Sequence, residues 1–206
     1  MTTTVDCLLS VARGEPGYPL RLERLGTAAP ESIDLHGNRA LLDETVVALF
    51  CSVTVPGSAV VEAYDVAREF SGSGHTIAGG FQSPLEREML DYLLRGSASV
   101  IICPARGLRG LRIPSSWRPA LRESRLLLLS SFPPEYRRPT LATADLRNRV
   151  TAALASRMIL LHASSGGRLA RLAREALTWG IPVQCLDHPS NEDLRVTGAQ
   201  RLPRTW

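Results

Sequence analysis

The sequence predicts an α/β protein: a Rossmann-like, doubly wound, mostly parallel sheet with helices on both faces. Two observations carry that prediction. From residue 46 onward, short runs rich in valine, isoleucine and leucine alternate with stretches of helical apolar spacing, the pattern of repeated strand–turn–helix units. The runs also lack the polar alternation of a half-solvated strand, as expected of strands covered on both faces.

The elements follow in order. "VVALFC" at 46–51 is the first buried strand. In "PGSAVVEAYDVAREF", residues 56–70, Val60, Tyr64, Ala67 and Phe70 fall near one helical face. "HTIAGG" at 75–80 is a second strand closed by two glycines. "SPLEREMLDYLLRG" places Ser83 at the N-cap, Pro84 at the first helical position and Gly96 just past the end. A strand in "ASVIICPARG", a short helix in "PSSWRPALRE" and a strand in "RLLLLSSFPP" come next. A helix over 140–156, a strand over 157–162, a helix over 167–179 and the strand "IPVQCLD" complete the pattern. Residues 1–44 have room for one short helix and are otherwise dense in turn formers. They are expected to form an N-terminal extension packing on the core, with residues 45–206 as the Rossmann-like domain.

Composition sets bounds on function. A chain of 206 residues, 44% apolar and 21% charged, suits one globular core. Every one of the 24 cationic side chains is arginine, whose planar fork of donors suits phosphate, although GC-rich coding yields the same bias. A net charge of +4 attracts anions only mildly, and 5% aromatic residues leave no evident wall of stacking rings. The apolar runs are too short to cross a bilayer, and the early aspartate with no basic start is unlike a signal peptide. Cys7, Cys51, Cys103 and Cys185 show no paired metal spacing. The expectation is a reduced, cytoplasmic protein with no metal and no cofactor.

Right-handed crossovers would bring the C-terminal ends of the parallel strands to one edge. Ligands of such sheets bind beyond that edge, where strand order reverses. The turns expected there carry the candidate residues. The first offers Ser52, Gly57 and Ser58, without a dinucleotide fingerprint or a Gly-Lys-Ser/Thr phosphate loop. The second offers Gly79 and Gly80 for close approach, Gln82 and Ser83 for hydrogen bonds, and Phe81 as either a stacking face or a plug. In "CPARGLRGLR", Arg106 is nearest the strand end. Arg147, Asn148 and Arg149 set two guanidinium forks around an amide, suited to phosphate oxygens, or else form a solvated helix start paired with Asp145. In "HASSGGRLARLAREAL", Ser164 or Ser165 suits a helix cap, and Gly166 and Gly167 let a ligand meet free amides at the positive helix end. A plain capped helix fits the same residues.

Catalytic signals are weak. His75, His162 and His188 are scattered, with His162 best placed as a proton carrier. No G-x-S-x-G elbow occurs, and Cys51 and Cys103 read as buried small hydrophobes. Glu86 is the acid placed to face a ribose or a water.

Taken together, these segments resemble the DNA-processing (DprA/Smf) family over roughly residues 17 to 199. The match is strongest in "LRNRVTAALASRMILLHASSGGRLARLAREALTWGIPV", which carries the family's Arg-Asn-Arg, small-residue helix, strand, serine-glycine turn and closing helix. "GYPLRLERLGTAAPESIDLHGNRALL", "VVALFCS", "HTIAGGFQSPLE" and "LRVTGA" stand where the family has its other motifs. The chain departs from the pattern at Ser52-Val53, where the family has an arginine, and at Gln82-Ser83-Pro84. The resemblance implies a divergent, stand-alone member without a winged-helix domain. It also implies single-stranded DNA binding by Arg147, Asn148 and Arg149, a recombinase as protein partner, and a homodimer. The leading expectation is non-catalytic binding of single-stranded DNA or a nucleotide phosphate in a glycine- and arginine-lined crevice. The alternative is a nucleotide-processing enzyme, akin to phosphoribohydrolases or N-glycosidases, with Glu86 as its acid; the sequence leaves the question of catalysis open, leaning against it. A third reading is a protein-interaction module using "FPPEYRRP".

Overall fold

The computed structural model describes residues 3–5 and 8–203. In chain order the elements are β1 (Thr3–Thr4), β2 (Leu9–Ala12), β3 (Ser32–Gly37), β4 (Val46–Cys51), α1 (Gly57–Ser71), β5 (Thr76–Gly79), α2 (Pro84–Arg95), β6 (Ser99–Ile102) and β7 (Arg112–Ile113). They continue with α3 (Arg118–Arg122), β8 (Leu126–Ser130), α4 (Leu141–Leu154), β9 (Arg157–His162), α5 (Arg168–Thr178), β10 (Val183–Cys185), α6 (Glu192–Val196) and β11 (Gln200–Arg201). Short 3-10 turns join several of them, including a pair within Leu20–Ala28 separated by a kink at Gly26.

One nine-stranded sheet runs in the order β11-β10-β9-β4-β5-β6-β8-β3-β2. From β11 to β8 every neighbour is parallel. β3 is antiparallel to β8, and β2 to β3. β1 and β7 form a separate antiparallel pair. The chain leaves the central β4 through β5, β6 and β8 on one side, then returns to β9 on the other. That reversal between β4 and β9 is the topological switch point, where sheets of this class open a crevice.

The two-faced burial expected of "VVALFC" is present. Val46, Ala48 and Phe50 point into a core layer with α4 and α5, whereas Val47, Leu49 and Cys51 pack with α1 and α2. The period of two along a strand and the small residues Ala152, Ala153 and Ala173 on the helices allow both layers to close.

The N-terminal residues differ from expectation. Where turns and one short helix were expected, β2 and β3 widen the sheet. Asp34 of β3 is buried and accepts a hydrogen bond from the Ser10 hydroxyl, so a strand in the sheet carries a polar residue that its sequence pattern could not place. Cys7 lies outside the described residues. Cys51, Cys103 and Cys185 are buried and free. Burial pushes the Cys51 thiol up to about 12 and that of Cys103 up to about 11. Among the described residues no helix is long and apolar enough to cross a membrane, and no cluster of His, Cys, Asp or Glu could hold a metal.

Candidate functional site

At the switch point the ends of β4 and β9 are tied to each other. The Ser52 amide donates to the His162 carbonyl at 2.9 Å, and the Ser164 amide donates to Ser52 Oγ at 3.2 Å. Two helices start here, and neither has a side-chain cap: α1 follows Pro56, and α5 follows Gly167. The expected caps Ser164 and Ser165 are not used. Gly166, in the left-handed region at φ +64°, turns the chain so that the Ser164 carbonyl accepts the Gly167 amide at 2.9 Å. A Cβ on Gly167 would stand 2.8 Å from that carbonyl oxygen. Gly57, Ser58, Ser164, Ser165 and Gly166 are all exposed, so first-turn amides and hydroxyls of both helices face solvent together.

Behind Ser58 lies a hydrogen-bonded chain whose direction can be read atom by atom. Asn191 Nδ2 donates to the carbonyls of Leu161 and Leu186 at 3.0 and 3.2 Å, which makes its Oδ1 the acceptor. His162 Nδ1, 3.1 Å from Asn191 Oδ1 and 3.1 Å from Ser190 Oγ, therefore carries the proton. The Ser190 amide donates to His188 Nδ1 at 3.2 Å, with Ser190 Oγ 2.8 Å from the same nitrogen. Neutral His188 must then hold its proton on Nε2 and donate it to Ser58 Oγ, 2.9 Å away. Ser58 accepts from the imidazole, the reverse of what activation of a serine nucleophile requires. Burial holds His162 below its ordinary value against the opposing bond to Asn191. Sequence reading singled out His162 but not Ser190 or Asn191; "DHPSN" directly after a strand was the available signal.

In the neighbouring part of the edge, at the ends of β5 and β6, the polar groups of the turn are tied to main chain. Glu86 is 6% exposed; its Oε1 accepts from the Cys51 amide at 2.9 Å, and its Oε2 accepts from the amides of Gln82 and Ser83 at 2.8 and 3.2 Å. Ser83 Oγ in turn accepts the Glu86 amide, completing a capping box at the start of α2. Both oxygens of the acid a nucleotide-cleaving enzyme would need are thus occupied with main chain. Phe81 is buried with φ +50° and folds its ring over Gly79, where a Cβ would lie 2.8 Å from Cζ. Gln82 is exposed and donates from Nε2 to the Gly80 carbonyl at 3.1 Å. Arg106 is half-buried beside a small cavity and donates from Nε to the Gly107 carbonyl at 3.3 Å.

The Arg-Asn-Arg triplet is split. Arg147 is 5% exposed and passes under Gly80, where an added Cβ would meet its Nη1 at 1.5 Å; the same nitrogen donates to the Cys103 carbonyl at 3.0 Å. Its Nε is buried without a partner. Burial lowers the pKa of this guanidinium, and the nearby Glu86 charge opposes that shift. Arg149 points instead to α5, where Nε and Nη2 engage the Glu175 carboxylate, the shortest contact being 2.5 Å. Asn148 shares with Arg149, Arg168 and Arg171 a shallow hollow between α4 and α5 that also holds Asp145 and Glu175. Residues two apart on a helix point about 200° from each other, so the two forks do not close on one phosphate.

A further cavity, about 370 Å³, lies between the outer side of α1 and the residues that follow β10 and β11. Glu62, Asp65, Glu69 and Asp187 line it together with Arg68, and Asp187 is paired with Arg195 and Arg201.

Comparisons with known proteins agree on the frame. A family model described as DNA recombination-mediator protein A matches residues 10–205. The fold is similar to that of DNA processing protein A from Streptococcus pneumoniae, with a TM-score of 0.79 and 18% identity over 96% of this chain and 71% of that one. A DNA processing protein A from Helicobacter pylori, whose structure is described with a single-stranded DNA binding mode, is similar at a TM-score of 0.75. That match has 20% identity over 94% of this chain and 90% of that one. A molybdenum cofactor binding protein from Rippkaea orientalis shares the fold more loosely, with a TM-score of 0.53 and 10% identity over 77% and 87% of the two chains. A search of curated proteins returned no match.

Proposed function

The chain belongs to the DNA recombination-mediator protein A family, and on that premise we propose that it binds single-stranded DNA without catalysis, seating phosphates in the crevice between β4 and β9. The observation that carries this reading is the pair of uncapped helix starts, α1 and α5, bridged by the Ser164–Ser52 bond and flanked by Ser58. Free first-turn amides and a positive helix end suit an anion. The Ser58 hydroxyl, held as a donor by His188, adds a directed hydrogen bond. Backbone amides and serines recognise phosphate and not base identity, so the crevice itself is indifferent to sequence. Arg147 belongs to this reading as a support beneath Gly80 rather than as a phosphate clamp. Arg149, Asn148, Arg168 and Arg171 extend the path along α4 and α5.

The same reading includes a strand-exchange recombinase as partner and a homodimer as the working unit. Co-elution with recombinase on single strands, and light scattering of the free protein, test those two extensions.

Fluorescence anisotropy with a labelled oligothymidine across a salt series tests the core of the proposal. Binding should weaken with salt at a logarithmic slope of about −0.7 per phosphate contacted. Ser58→Asp and Ser165→Asp place a carboxylate where each helix begins. An acid there suits the helix dipole and preserves the fold, yet each change should weaken binding at least about tenfold by repelling phosphate. Wild-type protein that ignores the oligonucleotide, or aspartate variants that bind it undiminished, would overturn the assignment.

A further inference from the structure

The α1 side of the crevice has amides and a hydroxyl for an anion but no cation of its own: residues 45–61 contain no charged side chain. What stands behind Ser58 is a histidine, His188, with Nε2 2.9 Å from the hydroxyl oxygen. We propose that His188 takes up a proton when a phosphate occupies Ser58, so that the seat gains its positive charge on binding. The inference rests on the DNA-binding reading above.

With the crevice empty, the surroundings of the ring favour its neutral form. His188 Nδ1 is the N-cap acceptor of the 3-10 turn Pro189–Asn191, receiving the Ser190 amide at 3.2 Å. A proton on Nδ1 would displace that bond. Ser190 Oγ, 2.8 Å from the same nitrogen, makes the change possible, because a hydroxyl donates or accepts by rotating its hydrogen. In the occupied state the proton comes from solvent to Nδ1, and Ser190 Oγ turns to accept it. Nε2–H stays on Ser58 Oγ, and the Ser58 hydrogen goes to a phosphate oxygen. The Ser190 amide loses its acceptor; attraction between imidazolium and phosphate offsets the loss. His188 reaches the phosphate only through Ser58, so it is a positioning residue.

The other charges around the ring are already in place before a ligand arrives. Asp187 is paired with Arg195 and Arg201, and Glu192 with Arg195, which also donates to the His188 carbonyl at 3.2 Å. Glu62, one turn beyond Ser58 on α1, lines the same cavity as Asp187. His162, across Ser190, is held below its ordinary value by burial. A phosphate is therefore the charge that changes. With Ser58 between them, imidazolium and phosphate stand about 5 Å apart. Their attraction is worth about fourfold in affinity where water screens it fully and about twentyfold at a half-buried site, and His188 is half-buried.

Anisotropy of a labelled oligothymidine, followed from pH 8 to pH 5.5 at fixed salt, tests the coupling; neither thymine nor a phosphodiester titrates in that range. Wild-type affinity should rise about four- to twentyfold across it, with a logarithmic slope against pH no steeper than about −1, as one proton allows. Calorimetry at pH 6.5 in two buffers of unlike ionisation heat should register net proton uptake by wild type, a reading that needs no variant. His188→Asn keeps a good N-cap for the Ser190 amide and so preserves the turn, but it cannot titrate. Its affinity should lie about fivefold below wild type at pH 8, the loss of one directed hydrogen bond, and should stay level down to pH 5.5 without proton uptake. Wild-type affinity that is level with pH, a binding heat indifferent to buffer, or a rise that survives in His188→Asn removes the proton link and leaves the phosphate crevice standing. Failure to bind the oligonucleotide at any pH removes both.

Discussion

The four long helices of this molecule, α1, α2, α4 and α5, begin in two ways. α2 and α4 begin with complete capping boxes, Ser83 with Glu86 and Thr140 with Thr143. α1 and α5 begin without any side-chain cap, after Pro56 and Gly167. The first kind satisfies its own amides and braces the sheet edge; the second leaves amides open and faces the switch point. A local device that stabilises a helix also uses up the groups a ligand would need. The contrast therefore separates the part of the edge that holds shape from the part that can hold something else.

The sharpest way to break this comparison is at Arg147. Arg147→Ala leaves the Cys103 carbonyl and the Glu86 carboxylate without their cationic neighbour and opens a void under Gly80. It should cost about 3 kcal/mol, a drop of roughly 6–12 °C in the thermal midpoint. Arg149→Ala removes only a partly solvated pair with Glu175 and should cost under about 1 kcal/mol. Similar melting of the two variants would refute the division of the triplet into a buried support and a surface cation.

Next in size is the exchange of serines. Ser83→Ala deletes a working cap and should cost about 1 kcal/mol with little effect on DNA affinity. Ser58→Ala should leave stability nearly unchanged and weaken DNA binding about fivefold, the loss of one hydrogen bond. Paired melting and anisotropy measurements decide between this cross-over and a common role.

A smaller effect concerns acid. His162 is held below its ordinary value of 6.5, chiefly by burial. Between 6.5 and the lower folded value the unfolded chain binds more protons, so stability rises with pH there and is lost as pH falls through that window. Thermal midpoints followed from pH 7 down to 5 should therefore fall less in His162→Asn than in wild type. The smallest expected effect is on the thiols of Cys51 and Cys103. With values near 12 and 11, they should stay unmodified by iodoacetamide at neutral pH until the protein is denatured.

Much of the frame was legible in the chain. Alternating apolar runs located β4, β5, β6, β8, β9 and β10, and Ser83, Pro84 and Gly96 marked the ends of α2. β2 and β3 were not legible, because β2 is a short edge strand and β3 buries Asp34 against Ser10. Adjacency misled at Arg147 and Arg149, since helical rotation sends near neighbours to different surroundings. Ser164 and Ser165 looked like caps until Gly166 redirected the chain. The chain of Ser58, His188, Ser190, His162 and Asn191 joins segments more than a hundred residues apart, and no local pattern announces such a meeting.

The Arg147 and Glu86 contacts have one more consequence. They lash the ends of β4, β5 and β6 to α2 and α4, so on the proposed reading the receiving surface is set before any strand arrives. Little protein entropy is then lost on association, and the ordering penalty falls on the flexible polymer that docks. Oligonucleotides already stiffened by self-stacking should start with an advantage over limp ones of equal charge.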